Sequence, residues 1–130
     1  MKQIDVLVIG SGVAGLTLAI KMAERHPDKK VCVLTKTTKE ESNTRYAQGG
    51  VAAVWNFETD SFEKHIEDTL DAGDGLCDEN AVNIVVTEGP TRVKELIEWV
   101  TRFDKKSQEY DLGREGGHSE NRVLHYKDLT

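Results

Sequence analysis

Gly10, Gly12 and Gly15 stand at the spacing G-x-G-x-x-G, directly after the apolar run Val6-Leu7-Val8-Ile9 and directly before Leu16-Thr17-Leu18-Ala19-Ile20. This is the pattern of a turn that cradles the pyrophosphate of a nucleotide. Gly10 lets the chain turn tightly, Gly12 removes the Cβ that would block the phosphates, and Gly15 lets the following helix lie close to the strand. The free amides at the N-terminus of that helix supply the anion site. A glycine triplet alone arises in loops by chance, and a plain tight turn between strand and helix is the alternative. An apolar strand and an apolar helix flanking it at the right phase favour the nucleotide. A secretory signal peptide fits poorly: Lys2 does precede the apolar stretch, but Asp5 and the spaced glycines interrupt it, and no convincing cleavage site follows.

Two further segments have side chains suited to chemistry. Residues 37–50 form a polar stretch too long for an ordinary turn, and long loops are functional or disordered more often than incidental. Ser42, Asn43, Thr44 and Gln48 offer hydrogen bonds there, and Gly49-Gly50 lets the backbone press against a flat polar ring system; a mobile surface loop is the alternative. The second segment is Leu112-Gly113-Arg114-Glu115-Gly116-Gly117-His118-Ser119, followed by Arg122-Val123-Leu124-His125-Tyr126. Ionisable side chains between glycines suit a loop where backbone and ligand approach closely, whereas a charged solvated loop has the same composition.

The elements that must position these residues follow from apolar spacing. A strand over residues 6–9 with an uninterrupted apolar run is expected to be parallel and covered on both faces. A helix over residues 13–25 sets Ala14, Leu18 and Met22 four apart, and Pro27 marks its end. Residues 30–35 give a second strand, so strand, helix and strand form a right-handed βαβ unit. A nicotinamide site calls for an acid near the end of that second strand to hold a ribose hydroxyl. Thr35 and Lys36 stand there instead, which weighs against NAD and leaves the ribose to Lys36 or a backbone group. Residues 51–55 read as a strand or a buried apolar connector. Asp60 is expected to open the next helix, with Glu63 completing a capping box, Phe62, Ile66 and Leu70 lining one face and Gly73 closing it. A helix over residues 79–88 is then expected to be separated by Gly89-Pro90 from a third carrying Val93, Leu96, Ile97 and Val100. These helices read as packing, with His65 in the same role and His26 on the surface at a helix end.

The chain as a whole narrows the classes. Its 130 residues suggest one domain at most. A net charge of −6 and a pI near 5.2 give no indication of a nucleic-acid surface. With 31% charged residues and a mean hydropathy of −0.50, no run approaches a membrane span. Cys32 and Cys77 lie far apart without metal-ligand spacing and read as reduced, cytosolic thiols.

Five stretches carry a resemblance that spans nearly the whole chain. They are Gly10-Ser11-Gly12-Val13-Ala14-Gly15, Tyr46-Ala47-Gln48-Gly49-Gly50-Val51-Ala52-Ala53-Val54, His65-Ile66-Glu67-Asp68-Thr69-Leu70, Ala72-Gly73 and Arg114-Glu115-Gly116-Gly117-His118-Ser119. The first is common to many nucleotide proteins; the second and last are specific. Together they resemble the L-aspartate oxidase family within the fumarate reductase and succinate dehydrogenase flavoprotein superfamily.

The resemblance implies an α/β fold, the front of a Rossmann-like FAD-binding domain with parallel strands plus a helical segment. It implies FAD, with Gly10, Ser11, Gly12, Val13, Ala14 and Gly15 at the pyrophosphate and Lys36 near the adenosine. Asn43, Thr44, Arg45, Tyr46, Ala47, Gln48, Gly49 and Gly50 would run along the flavin. The FAD would be non-covalent, because superfamily members with a covalent flavin carry a histidine at the position that aligns with Asn43.

The implied reaction is oxidation of L-aspartate to iminoaspartate with oxygen or fumarate as acceptor. It is the first step of de novo NAD biosynthesis via quinolinate, cytoplasmic and functionally coupled to quinolinate synthase. Glu115 alone matches a substrate-contacting position, with His118 and Ser119 beside it. The family's catalytic arginine and carboxylate clamp belong to a later capping domain and match nothing in residues 1–130. No catalytic residue and no metal ligand are therefore expected here, and these residues by themselves are expected to be inactive. A soluble fumarate reductase flavoprotein is the alternative within the superfamily, and the Arg-Glu-Gly-Gly-His-Ser context argues against it. A nucleotide-binding or assembly module without turnover is the alternative from another class.

Overall fold

The computed structural model describes residues 3–38, 40–47 and 49–127, which gather into two compact units parting between Ala47 and Gly49. The first holds strand β1 (Val6–Ile9), helix α1 (Val13–Arg25) and strand β2 (Val31–Leu34). β1 and β2 pair in parallel, Val6 beside Val31 through to Ile9 beside Leu34. The Lys30 amide donates to an Asp5 carboxylate oxygen at 2.8 Å, and the Gly10 amide donates to the Leu34 carbonyl at 2.8 Å, so both ends of the strand pair are fastened.

Burial corrects one expectation. The apolar run predicts β1 covered on both faces, yet only its Val8 is buried, Leu7 and Ile9 are 54% and 79% exposed, and α1 buries no residue. A pair of strands with a single helix has too few neighbours to cover two sheet faces, whatever the apolar run prefers.

The second unit contains β3 (Val51–Ala52), α2 (Phe62–Ala72), α3 (Glu79–Glu98), β4 (Lys105–Lys106), β5 (Glu109–Tyr110), β6 (Leu112–Gly113) and β7 (Val123–Leu124). Its larger sheet is antiparallel in the order β3, β7, β6, and β4 and β5 form a separate hairpin. These antiparallel strands add to the parallel pair that the sequence predicts. The two-residue strands are too short for any alternation of apolar and polar residues to show. Residues 51–55 combine both readings offered for them: a brief strand, then the buried connector Ala53-Val54. Ala53, Val93 and Leu124 form the core, with Trp55, Ile97, Phe103, Tyr110 and Leu112 packed around it. The Trp55 and Tyr110 rings meet edge to face at 5.3 Å.

Two helix expectations are also corrected. α3 runs unbroken through Gly89 and Pro90. A mid-helix proline forfeits a backbone hydrogen bond and costs about 3 kcal/mol. Here Val86, Pro90 and Val93 fall on one face and are all buried, and that packing offsets the loss. The cap of α2 is Ser61, whose hydroxyl accepts from the Lys64 amide at 3.2 Å. Asp60, expected in that role, accepts from the Ser61 amide and otherwise turns to Arg122.

Candidate functional site

In the first unit the glycine turn is built as its spacing requires. Gly10 takes φ +107°, and a Cβ on Gly15 would collide with the Gly10 carbonyl oxygen, so only glycine lets α1 start this close to β1. α2 and α3 are capped by Ser61 and Asp78 and carry Glu63 and Glu79 in their first turns; α1 starts at Gly12 with neither a side-chain cap nor an acid. Its positive end is left for an external anion. One amide is already committed, since Val13 N–H donates to Thr44 Oγ1 at 3.0 Å. That bond ties the polar loop to the helix start. Ser11 is buried and donates to Thr35 Oγ1 at 3.1 Å, linking the turn to the end of β2.

Gly10, Ser11, Gly12, Thr35, Lys36, Asn43 and Thr44 thereby line one cleft of about 650 Å³. That falls within the roughly 300–1,000 Å³ of small-molecule sites. Arg45 lines an adjoining hollow with Ser11, Leu16 and Thr44. The loop that supplies Asn43 and Thr44 is held by its own turns: the Arg45 amide donates to Ser42, and the Tyr46 hydroxyl donates to the Glu41 carboxylate at 2.8 Å. Tyr46 is thus an outward-facing member of the set, 63% exposed. Ala47 is exposed at the end of the unit, and Gln48 lies outside the described residues.

Gly49 and Gly50 belong to the second unit, beside Glu115 and β7. A Cβ on Gly49 (φ +102°) would stand 3.8 Å from Glu115 Oε1, and a Cβ on Gly50 would collide with the Val123 side chain. Gly49, Gly113, Glu115, Val123, His125 and Lys127 line a cleft of about 340 Å³. The two specific stretches of sequence therefore meet at this point, Gly49 from one and Glu115 from the other. Glu115 sits in a tight turn in which its carbonyl accepts from the His118 amide at 3.2 Å and its amide donates to His118 Nδ1 at 3.4 Å. Neither arginine near it in sequence neutralises it among the described residues. Arg114 donates to the Ser119 carbonyl, and Arg122 serves two aspartates.

The Arg122 network is what sequence reasoning missed. Arg122 is fully buried and donates from Nε and Nη2 to the two oxygens of Asp60 at 2.9 and 2.8 Å, and from Nη1 to Asp68 at 2.5 Å. A buried charge is tolerated only when paired and hydrogen-bonded, and this guanidinium is both. Burial works against its charge, but the hydrogen bonds and charges of Asp60 and Asp68 outweigh that and raise its pKa. Burial likewise opposes ionisation of Asp68, and donors from Ser119 and Arg122 override it and hold the carboxyl down at about 2. His65 is buried against the edge of His118, ring centroids 5.9 Å apart, and its Nδ1 has no partner among the described residues. Burial is the main force keeping it neutral, with Arg122 and His118 adding to it against Asp60 and Asp68. The available signal was the pair Asp60 and Asp68, eight apart on and before a helix, with an arginine beyond the glycine-rich loop.

Residues 5–129 match the family model for the FAD binding domain, and the chain belongs to that family. It is similar to the chloroplastic L-aspartate oxidase of rice (Oryza sativa subsp. japonica), 50% identical over 99% of this chain and 20% of the relative. The L-aspartate oxidase of Yersinia pestis is 48% identical over 97% of this chain and 24% of its own length. Among solved structures, a variant of E. coli quinol fumarate reductase matches with a TM-score of 0.89 and 34% identity over 99% of this chain and 22% of that one. The apo form of the Mycobacterium smegmatis Sdh1 complex matches with a TM-score of 0.85 and 35% identity, over 97% of this chain and 21% of that one. The chain thus spans about a fifth to a quarter of the length of the curated relatives it matches. The expected α/β fold class and FAD as cofactor are borne out, as is the likeness to L-aspartate oxidases. Among the described residues no helix is long and apolar enough to cross a membrane.

Proposed function

We propose that this chain carries the FAD-binding front of an enzyme that oxidises L-aspartate to iminoaspartate, the first step of de novo NAD biosynthesis via quinolinate. Two electrons and two protons leave the substrate; oxygen carries them off as hydrogen peroxide, or fumarate carries them off as succinate. Bound FAD supplies the two-electron acceptor. Gly10, Ser11, Gly12, Val13, Ala14 and Gly15 would hold its pyrophosphate at the start of α1, where Thr44 already takes the Val13 amide, and Lys36 would take the adenosine side of that cleft. Asn43, Thr44, Arg45, Tyr46 and Ala47 of the first unit would run along the ring system without a covalent bond to it.

Glu115 reads the substrate's α-ammonium. The observation that carries this reading is its carboxylate beside Gly49, without an ion-pair partner among the described residues, on a loop whose glycines leave room for a ligand. An ammonium needs an anionic acceptor, and a charge-assisted hydrogen bond supplies roughly 1.5–3 kcal/mol. Similarity to L-aspartate oxidases over nearly all of this chain supports the same assignment. The imine product hydrolyses in water, which favours functional coupling to quinolinate synthase. The free Cys32 and Cys77 suit a reducing cytoplasm.

The likeness to a fumarate reductase structure keeps a second reading open, a flavoprotein that reduces fumarate and leaves aspartate untouched. Purifying the intact protein its gene encodes and measuring aspartate-dependent peroxide and fumarate-dependent succinate side by side separates the two. Peroxide from aspartate supports the oxidase; succinate formation with a reduced donor and no aspartate oxidation supports the reductase; neither leaves a flavin-binding module.

A further inference from the structure

The Arg122 cluster contains one carboxylate more than charge balance requires. Asp60 already meets the guanidinium through two hydrogen bonds and is itself buried, so the pair is neutral without help. Asp68, on α2, adds a second negative charge to one already compensated. Its bonds show where that charge is spent: Asp68 Oδ2 accepts from both the amide and the hydroxyl of Ser119, each at 2.8 Å. Ser119 closes the loop that carries Glu115. The other end of that loop is fastened at Gly113, which pairs with Val123 and whose carbonyl accepts from the Arg122 amide at 3.1 Å. Between these anchors Glu115 is turned by its two contacts with His118, and Gly117 takes φ +88°.

We propose that Asp68 is a positioning residue for Glu115: by gripping Ser119 it fixes the far end of the loop and thereby aims the Glu115 carboxylate at the substrate's ammonium. The proposal rests on the substrate reading given above for Glu115. Asp68 touches no substrate itself. Arg122 serves as the rigid post, locked by Asp60, against which Asp68 is set. The carboxylate keeps its grip through the neutral and mildly acidic range, because its pKa is held at about 2.

A double-mutant cycle in the intact protein tests this, with Asp68→Asn, Glu115→Gln and both together. Asp68→Asn alone is expected to raise KM for aspartate about tenfold, while flavin content, kcat and KM for fumarate change little. In the Glu115→Gln background the same Asp68→Asn substitution is expected to cost nothing more, because the group it positions is gone. An equal fold-loss in both backgrounds, or parallel losses with aspartate and fumarate, overturns the proposal and makes Asp68 a fold-stabilising residue only. Should Asp68→Asn fail to fold, Ser119→Ala removes one of the two gripped bonds while leaving Arg122 paired. It is expected to shift KM for aspartate in the same direction, and no shift overturns the proposal. Wild-type protein that binds flavin but yields no peroxide from aspartate defeats the substrate reading itself, and with it the positioning role; normal wild-type turnover with additive variants defeats the positioning role alone.

Discussion

Gly15 is packed flush against Gly10: a Cβ on Gly15 would collide with the Gly10 carbonyl oxygen and stand 3.4 Å from Val8 Cγ1. The obstacle is backbone, which has no rotamer by which to yield. Gly15→Ala is therefore expected to push the start of α1 off β1 and misalign the amides proposed to bind the pyrophosphate. Overpacking of this kind costs roughly 1–3 kcal/mol, so flavin affinity should fall about ten- to a hundredfold. Flavin absorbance retained per polypeptide after gel filtration measures it. Wild-type retention would show that the turn is not the phosphate site.

Arg122→Met should be the most damaging single substitution in the second unit. It leaves Asp60, whose side chain is 1% exposed, as a buried carboxylate with its partner removed. Breaking such a pair costs about 3–5 kcal/mol, whereas removing both charges together costs less. Thermal unfolding of Arg122→Met, Asp60→Asn and an Arg122→Met, Asp60→Leu double variant checks the order. The double variant is expected to melt above Arg122→Met.

Stability should decline as pH falls below about 6.5, and His65 is the reason. Its pKa is lowered from 6.5 in the folded chain, so the unfolded chain takes up a proton that the folded one refuses. The contribution is fully present above the unfolded value and is lost as pH drops through the folded one. Urea unfolding of wild type and His65→Leu at a series of pH values reads it. The wild-type slope between pH 6.5 and the acid limb should flatten in the variant; identical slopes would assign the acid sensitivity elsewhere.

Much of the site was legible because its signals are local. The G-x-G-x-x-G spacing carries its own strand and helix, and β1, α1 and β2 fall where the apolar runs put them. Lys36, Asn43 and Thr44 line one cleft with Gly10 and Gly12. The strand pairs β3, β7 and β6 are not legible, since two-residue strands exist only through partners ten or more residues away. Sequence shows Asp60 only its neighbours and so predicts a helix cap; its real partner, Arg122, is 62 residues on. Pro90 reads as a break because its cost is local, while the burial of Val86 and Val93 that offsets it is tertiary.

Flavin should be released completely by acid precipitation. By the family resemblance Asn43 takes the position of the histidine that covalent members of the superfamily carry, and it lines the same cleft as Lys36 and the glycine turn. An amide nitrogen is not a nucleophile of that kind. Yellow colour left in the washed pellet would contradict this.

The central claim is that Glu115 sets an amino-acid substrate apart from a plain dicarboxylate, and Glu115→Gln in the intact protein tests it most directly. Losing one charge-assisted hydrogen bond should lower kcat/KM for aspartate about ten- to a hundredfold. Fumarate has no amine, so its reduction, like flavin content, should stay near wild type. Equal losses in aspartate oxidation and fumarate reduction would contradict the account and leave Glu115 as a residue that only shapes its loop.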